Sequence, residues 1–155
     1  MRVTIAAIGR AKTSPEAALI TDYLARATRA GRPHGLGPFD VVELEAKKGG
    51  QAAEADLLEK SIAGAGWTCA LDERGTTLSS PDFAALLADV RDRGLGSVAF
   101  VIGGADGLTP ALRDRADTTL SFGRMVWPHM LARVMLAEQL YRATQIAAGT
   151  PYHRA

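Results

Sequence analysis

Cysteine is nearly absent from this sequence, since only one of the 155 residues is a cysteine, Cys69. One cysteine excludes an internal disulfide and any zinc site built from several thiolates. Cys69 lies in the apolar run WTCAL, a setting typical of a buried packing residue rather than of a nucleophile.

Long apolar runs are absent as well, because none approaches the roughly 18 residues that a membrane-spanning helix needs. The first ten residues are apolar but short, and they lead into Lys12 without a signal-peptide cleavage pattern. We expect them to form a core strand of a cytoplasmic protein that has no membrane partner.

A large charge excess is the third absence, since 18 basic and 17 acidic residues leave a formal net charge of +1. A strongly basic surface is therefore not predicted, and any RNA contact must rely on local patches. The chain is 47% hydrophobic and 23% charged. Its length and composition suit one α/β domain over residues 1–155.

The segments that are present alternate between strand-like and helix-like patterns, which predicts an open, mostly parallel sheet flanked by helices. The strand-like runs are residues 3–8, 39–44, 67–71 and 98–102. Ser14 and Ser80 are predicted to be helix N-caps, because each precedes a proline suited to the first turn. Gly94 is expected to end the helix that Ser80 caps.

The last helical segment, residues 129–147, is apolar nearly all round, so it must be buried on more than one side. One side can pack on the sheet. The pattern favours a second copy of the chain as the cover for the other side, because two-fold dimers are the commonest assemblies. Another helix of the same chain is the alternative.

Two segments could hold a ligand. Residues 103–110, GGADGLTP, follow the central strand, where glycines allow a ligand to approach the backbone closely, although a tight turn into a helix capped by Thr109 explains them equally well. Residues 121–129 lead into the last helix, whose first N–H groups can bind a polar ligand. A lone histidine such as His129 is more often structural than catalytic.

The C-terminal tail could carry chemistry. Tyr152, His153 and Arg154 together offer stacking, proton transfer and phosphate binding. Glu138 and Arg142 stand four residues apart on the last helix, so they can pair. Taken alone, that pair is more typical of a surface or interface salt bridge.

Three stretches taken in order resemble the ribosomal large-subunit methyltransferase H family, which methylates N3 of a pseudouridine in 23S rRNA. They are FVIGGADGL at 100–108, WPHMLARVMLAEQLYRATQI at 127–146 and PYHRA at 151–155. The resemblance covers the whole chain. It implies a SPOUT-type α/β fold with a C-terminal trefoil knot, a homodimer, an rRNA or ribosome partner, S-adenosylmethionine as cofactor and no metal.

The resemblance also implies a role for individual residues. The cofactor would be held, mainly through backbone atoms, by Leu71, Gly103, Gly104, Gly123, Arg124, Met125, Val126, Trp127 and Pro128. The substrate side would use Arg142, Tyr152, His153 and Arg154, with Glu138 orienting Arg142. His153 is the first choice for the base that removes the N3 proton, with Glu138 or a water as rivals. Asp106, where the family more often has glutamate, and the extra charge of Arg124 are small departures.

Two other functions remain to be compared with this one. The first is a non-catalytic RNA- or ribosome-binding dimer of the same fold, which a cofactor-binding measurement would separate from an enzyme. The second is a dinucleotide-dependent oxidoreductase, which should carry GxGxxG after its first strand. Here the first strand leads only to Gly9-Arg10-Ala11-Lys12, which disfavours it.

Overall fold

The computed structural model describes residues 1–154, which form five strands, five α-helices and one short 3-10 helix. The strands are β1 (Arg2–Ile8), β2 (Phe39–Leu44), β3 (Trp67–Thr76), β4 (Ser97–Ile102) and β5 (Thr118–Leu120). The α-helices are α1 (Pro15–Gly31), α2 (Gln51–Ile62), α3 (Ser80–Asp92), α4 (Pro110–Arg115) and α5 (His129–Ala148), and the 3-10 helix is Arg32–His34.

The five strands form one sheet in the order β2-β1-β4-β3-β5, and every neighbouring pair is parallel. This confirms the predicted α/β class. In β4 every residue from Val98 to Ile102 is buried, as expected for a central strand covered on both faces. Because all strands run the same way, the loops that follow them gather at one edge of the sheet.

Helices cover both faces of the sheet. Side chains alternate along β4, so Phe100 packs with the residues of α1, α3 and α5, whereas Val101 packs with those of α2 and α4. α5 therefore lies against the sheet with α1 and α3, and Leu136 and Leu140 are fully buried there. Helices of the same chain cover much of α5, but Leu131 remains 41% exposed.

Of the three helix ends predicted at Ser14, Ser80 and Gly94, local signals located two correctly. The Ser14 hydroxyl accepts from the Ala17 N–H at 3.1 Å, so Ser14 caps α1 as predicted. Gly94, just beyond α3, has the predicted left-handed conformation with φ 72°. The prediction of Ser80 as N-cap was wrong, because Ser79 is extended and accepts from the Asp82 N–H at 3.1 Å. Ser80 has already entered the helix.

β3 is longer than predicted, since it continues past Leu71 to Thr76. The extension pairs with β5 after a shift in register, and Leu120 is the partner of both Leu71 and Thr76. Gly75 permits this pairing, because a Cβ there would lie 2.6 Å from the Thr119 carbonyl oxygen. Within residues 1–154, none of the helices has the length and apolar character to cross a membrane.

Candidate active site

A cavity of about 340 Å³ lies at the edge where the strands end, between the loops after β3, β4 and β5 and the start of α5. Its volume falls in the range of roughly 300–1,000 Å³ that is common for small-molecule sites. Seven of the nine residues that the resemblance implied for the cofactor line it, namely Leu71, Gly103, Gly104, Gly123, Met125, Val126 and Trp127. Arg124 and Pro128 are exposed neighbours of this wall and do not line it.

Residues 103–108, the glycine loop, turn back on themselves through a bridge between Gly104 and Gly107. A Cβ on Gly103 would lie 2.8 Å from the Gly107 carbonyl carbon, and a Cβ on Gly104 would lie 2.6 Å from the Glu54 carboxylate. The close approaches at these two positions are thus made by the protein itself, by backbone at Gly103 and by a flexible side chain at Gly104.

The glycine loop is held from behind by the first turn of α2. The side-chain amide of Gln51 donates to the carbonyl oxygens of Asp106 at 2.9 Å and Leu108 at 3.2 Å. Sequence reasoning gave Gln51 no role, because a contact between residues more than fifty positions apart leaves no local signal. Gln51 and Glu54 together support the wall of the cavity.

Gly123 and residues 125–127 form the opposite wall, where three apolar side chains are exposed. Met125 is 74%, Val126 81% and Trp127 42% accessible. The loop leaves the sheet at Gly123, whose φ of 115° favours glycine, and the Ser121 hydroxyl accepts from the Gly123 N–H at 3.0 Å. An exposed apolar group of this kind marks a surface that a ligand or partner can cover.

Ionisable side chains also line the cavity. The Asp72 side chain is only 8% exposed and pairs with Arg74 at 3.2 Å and Arg113 at 3.4 Å. His129, the first residue of α5, lines the cavity as well. Asp72 was not among the predicted cofactor residues, although it directly follows Leu71, and His129 was expected to be structural, although it ends the candidate segment 121–129.

Four of the five predicted substrate residues form a connected group, the tail cluster of Glu138, Arg142, Tyr152 and His153. Arg142 donates twice to the Glu138 carboxylate, from Nη2 at 2.6 Å and from Nε at 3.0 Å. The Tyr152 hydroxyl donates to the same carboxylate at 2.9 Å, and Arg142 lies over the Tyr152 ring at 4.8 Å. Arg154 is exposed and outside this group.

The hydrogen bonds of the tail cluster define its protonation. Burial and the bond to Glu138 raise the pKa of Tyr152 to about 12, so the phenol stays protonated at neutral pH. The bonds to Glu138 also raise the pKa of Arg142. Arg142 Nη1 lies 3.3 Å from His153 Nδ1. Since a guanidinium can only donate, Nδ1 must accept, and a neutral His153 carries its proton on Nε2.

The tail cluster and the first cavity are not joined within one chain. Glu138 lines a second cavity of about 480 Å³ between α1, α3 and α5. The two cavities share only the wall formed by Leu120, Phe122 and Gly123. A single chain therefore presents the two predicted groups of residues on different sides of this wall.

Cys69 contributes no chemistry to either cavity. It is fully buried, as predicted, and burial raises the pKa of its thiol to about 12. Among residues 1–154, no group of three or more His, Cys, Asp or Glu side chains is arranged to hold a metal ion.

Known proteins resemble this chain along its whole length. A family model described as "Predicted SPOUT methyltransferase" matches residues 1–153. Proteins named "Ribosomal RNA large subunit methyltransferase H" from Dinoroseobacter shibae and Ruegeria pomeroyi are 63% and 61% identical over 155 residues, which is 99% of this chain and 99% of each relative.

Solved structures share the fold at low sequence identity. A probable methylase family protein from Haemophilus influenzae has a TM-score of 0.58 and 13% identity, over 99% of this chain and 70% of its own. A probable methyltransferase from Bordetella pertussis has a TM-score of 0.56 and 19% identity, over 92% of this chain and 96% of its own. The family match and the close relatives together show that this chain belongs to the SPOUT family of methyltransferases, enzymes whose methyl donor is S-adenosylmethionine.

Proposed function

We propose that this enzyme methylates N3 of a pseudouridine in 23S rRNA, on assembled ribosomes in the cytoplasm. Relatives about 60% identical over full length are named as methyltransferases of large-subunit rRNA, which supports an rRNA substrate; the position N3 of a pseudouridine is what the family resemblance implies. The observation that carries the catalytic part is the tail cluster, in which a charged pair holds an aromatic ring and an imidazole together.

The first cavity is the proposed cofactor site. Its size, its glycine loop and the apolar side chains of Leu71, Met125 and Trp127 suit an adenosine group held largely by backbone atoms. When bound, the sulfonium of the cofactor supplies an activated methyl group, so the protein has only to position the acceptor and remove one proton. Arg124 and Pro128 would support this wall from outside.

The tail cluster is the proposed substrate side. Tyr152 stacks on the target base, which must be unpaired to be reached. Arg142 and Arg154 stabilise the negative charge that develops on the carbonyls flanking N3. His153 takes the N3 proton. The basic atom of His153, Nδ1, faces Arg142, so the substrate must displace that contact. Glu138, the rival base, already accepts hydrogen bonds from Arg142 and Tyr152.

A homodimer is proposed because one chain separates the two halves of the site. A partner related by two-fold symmetry could place its tail cluster over the cofactor cavity and cover the exposed apolar residues Val126 and Leu131.

Within the single domain, we propose that α5 passes through a loop of the chain to form the trefoil knot. The pairing of β5 outside β3, followed by the return of α5 to lie with α1 and α3, supports this path. A traced crystal structure without a threaded C-terminus would refute the knot.

Mixing two inactive variants tests the composite site. Gly103→Val is designed to close the cofactor cavity, and His153→Ala removes the proposed base. Suppose that each site takes its cofactor cavity from one chain and its tail from the other. Half of the dimers in a refolded equal mixture are then heterodimers, and each heterodimer has one intact site. We expect about a quarter of wild-type methylation of undermethylated large subunits.

Controls make this result interpretable. Each variant alone should dimerise but transfer almost no methyl groups, and His153→Ala should bind S-adenosylmethionine like the wild type. An inactive mixture of folded, dimeric chains would place each site within one chain. A folded wild-type dimer that binds rRNA but not S-adenosylmethionine would favour the non-catalytic RNA-binding alternative over the proposed methyl transfer.

A further inference from the structure

α5 contains an arginine that is more deeply buried than most of the core. Arg133 has no exposed surface, yet its Nη1 donates to the Glu43 carboxylate at 2.7 Å and its Nη2 donates to the carbonyls of Ile8 and Gly9, both at 3.1 Å. Burial lowers the pKa of this guanidinium, and Glu43 opposes that shift. Burying a charge is costly unless it is well paired. Nη1 and Nη2 are paired and join α5 to the ends of β1 and β2, whereas Nε is buried without a partner among the described residues.

The loop after β1 is built on the same carboxylate. Glu43 also accepts from the Ala11 N–H at 2.6 Å, and the Ser14 hydroxyl donates to the Ala11 carbonyl at 2.7 Å. Between them, Lys12 has φ 55°, a left-handed conformation that is uncommon for a residue other than glycine. Strain of this kind persists only where the surroundings enforce it, and it is frequent at binding sites. Lys12 is thus presented, exposed, from a rigid loop.

Three of the four lysines in the chain lie at this edge of the sheet. Lys12 follows β1, whereas Lys47 and Lys48 follow the neighbouring strand β2, and all three are exposed. Among the described residues, the ion pairs within 4.0 Å involve arginines and no lysine. The acidic residues of the same strand ends, Glu43 and Glu45, are already paired with arginines.

Both lysine loops border the proposed cofactor cavity. A Cβ on Gly9 would lie 3.7 Å from Nε2 of His129, which lines the cavity. The loop with Lys47 and Lys48 runs into Gln51, whose side chain binds the Asp106 carbonyl on the cavity wall. In a chain with a net charge of +1, free positive charge is therefore concentrated beside the place where methyl transfer is proposed.

We propose that Lys12, Lys47 and Lys48, the lysine edge, bind backbone phosphates of the RNA substrate next to the cofactor cavity, with Arg133 positioning the loop that carries Lys12. This inference rests on the proposed rRNA substrate and names the surface that holds it. RNA is favoured over an acidic protein because the close relatives are named as methyltransferases of large-subunit rRNA, and the three ammonium groups have no acidic partner of their own. Phosphate binding by such point charges releases counterions and weakens with salt.

The test uses the triple variant Lys12→Gln, Lys47→Gln and Lys48→Gln in the full dimer. Its matched control is Arg29→Gln, Arg32→Gln and Lys60→Gln, which removes the same charge from exposed residues that form no ion pair and lie towards the other edge of the sheet. Binding to naked 23S rRNA and to undermethylated large subunits is measured from 50 to 200 mM salt, and cofactor affinity is measured in parallel.

Each phosphate contact contributes about 0.7–0.9 to the slope of log affinity against log salt. We expect the lysine-edge variant to lose about 2–3 from this slope, so that the fourfold rise in salt weakens the wild type roughly 20- to 40-fold more than the variant. The KM for large subunits should rise, while cofactor affinity and the control variant should match the wild type.

Three outcomes would overturn the lysine edge. They are an unchanged salt slope, an equal loss in the control variant, or a loss with intact subunits but not with naked rRNA, which would indicate a protein partner. Because binding is measured without methyl transfer, a wild type that binds rRNA with this slope but does not methylate it would contradict the proposed function and leave the lysine edge supported.

Discussion

Alanine at the two neighbouring glycines of the cavity should have very different effects. A Cβ on Gly103 would lie 2.8 Å from the carbonyl carbon of Gly107, which is backbone, and ordinary contacts begin near 3.4 Å. The glycine loop would have to retreat by about 0.6 Å. A Cβ on Gly104 would meet the Glu54 carboxylate at 2.6 Å, but that is the end of a flexible side chain, which can rotate away.

The losses of cofactor affinity expected for the two alanine variants follow from this difference. Forcing an extra methyl group into packed backbone costs about 1–3 kcal/mol, which corresponds to roughly 5- to 150-fold in affinity if the cofactor needs the original loop. We therefore expect Gly103→Ala to weaken S-adenosylmethionine binding by about tenfold or more, and Gly104→Ala by less than about fivefold. Neither position has a left-handed φ, so the comparison isolates sterics from backbone strain.

Calorimetric titration of S-adenosylmethionine into both variants is the assay, with thermal unfolding to confirm that each is folded. Adding Glu54→Ala to Gly104→Ala removes the nearest atoms that the new Cβ meets and leaves Ile8 Cγ2 at 3.1 Å as the next contact, so affinity should return to that of Glu54→Ala alone. Equal losses at the two positions, or no rescue by Glu54→Ala, would refute the prediction that Glu54 is the group that a side chain at position 104 meets.

Three further predictions concern single side chains. Gln51→Glu keeps the size of the side chain but removes the donor to two carbonyls of the glycine loop, so cofactor affinity should fall about tenfold in calorimetry; unchanged affinity would separate α2 from the site. Tyr152→Phe should lower kcat about tenfold without altering cofactor affinity, since it removes one bond to Glu138. Because the pKa of Tyr152 is raised to about 12, the phenol stays neutral, and both enzymes should share one pH–rate profile up to about pH 10; a limb found only in the wild type would contradict this. Cys69, with a thiol pKa near 12, should resist iodoacetamide at pH 8 until the protein is unfolded, as mass spectrometry would show.

The parts of the fold that depend on neighbouring residues could be predicted from the sequence. Ser14 before Pro15 and Thr109 before Pro110 cap helices because capping involves atoms within three positions. The apolar run of β4 was enough to identify a central strand. The error of one residue at Ser79 arose because two adjacent serines can each cap, and only the backbone conformation decides between them.

Features that depend on distant residues could not be predicted. β3 extends to Thr76 because Gly75 lets β5 approach, a contact between segments some forty positions apart. The support of the glycine loop by Gln51 is equally non-local. The resemblance implied nine cofactor residues, of which seven line one cavity, but it gave no reason why Gly103 must be glycine. The close contact of Gly103 with the backbone of Gly107 supplies that reason.

Helix α5 explains why its segment is so distinctive in the sequence. It is apolar nearly all round, yet polar residues are inserted at intervals of about one turn, and each has a separate structural task. His129 lines the proposed cofactor cavity, Arg133 holds the loop of Lys12, and Glu138 and Arg142 organise the tail cluster. Because one rigid helix carries all four, a rotation or shift of α5 would displace the cavity wall, the lysine edge and the tail together. The positions of the three surfaces relative to one another are therefore fixed within each chain. A two-fold partner that places its tail at the cavity of the first chain would also fix where its own lysine edge lies relative to the same substrate.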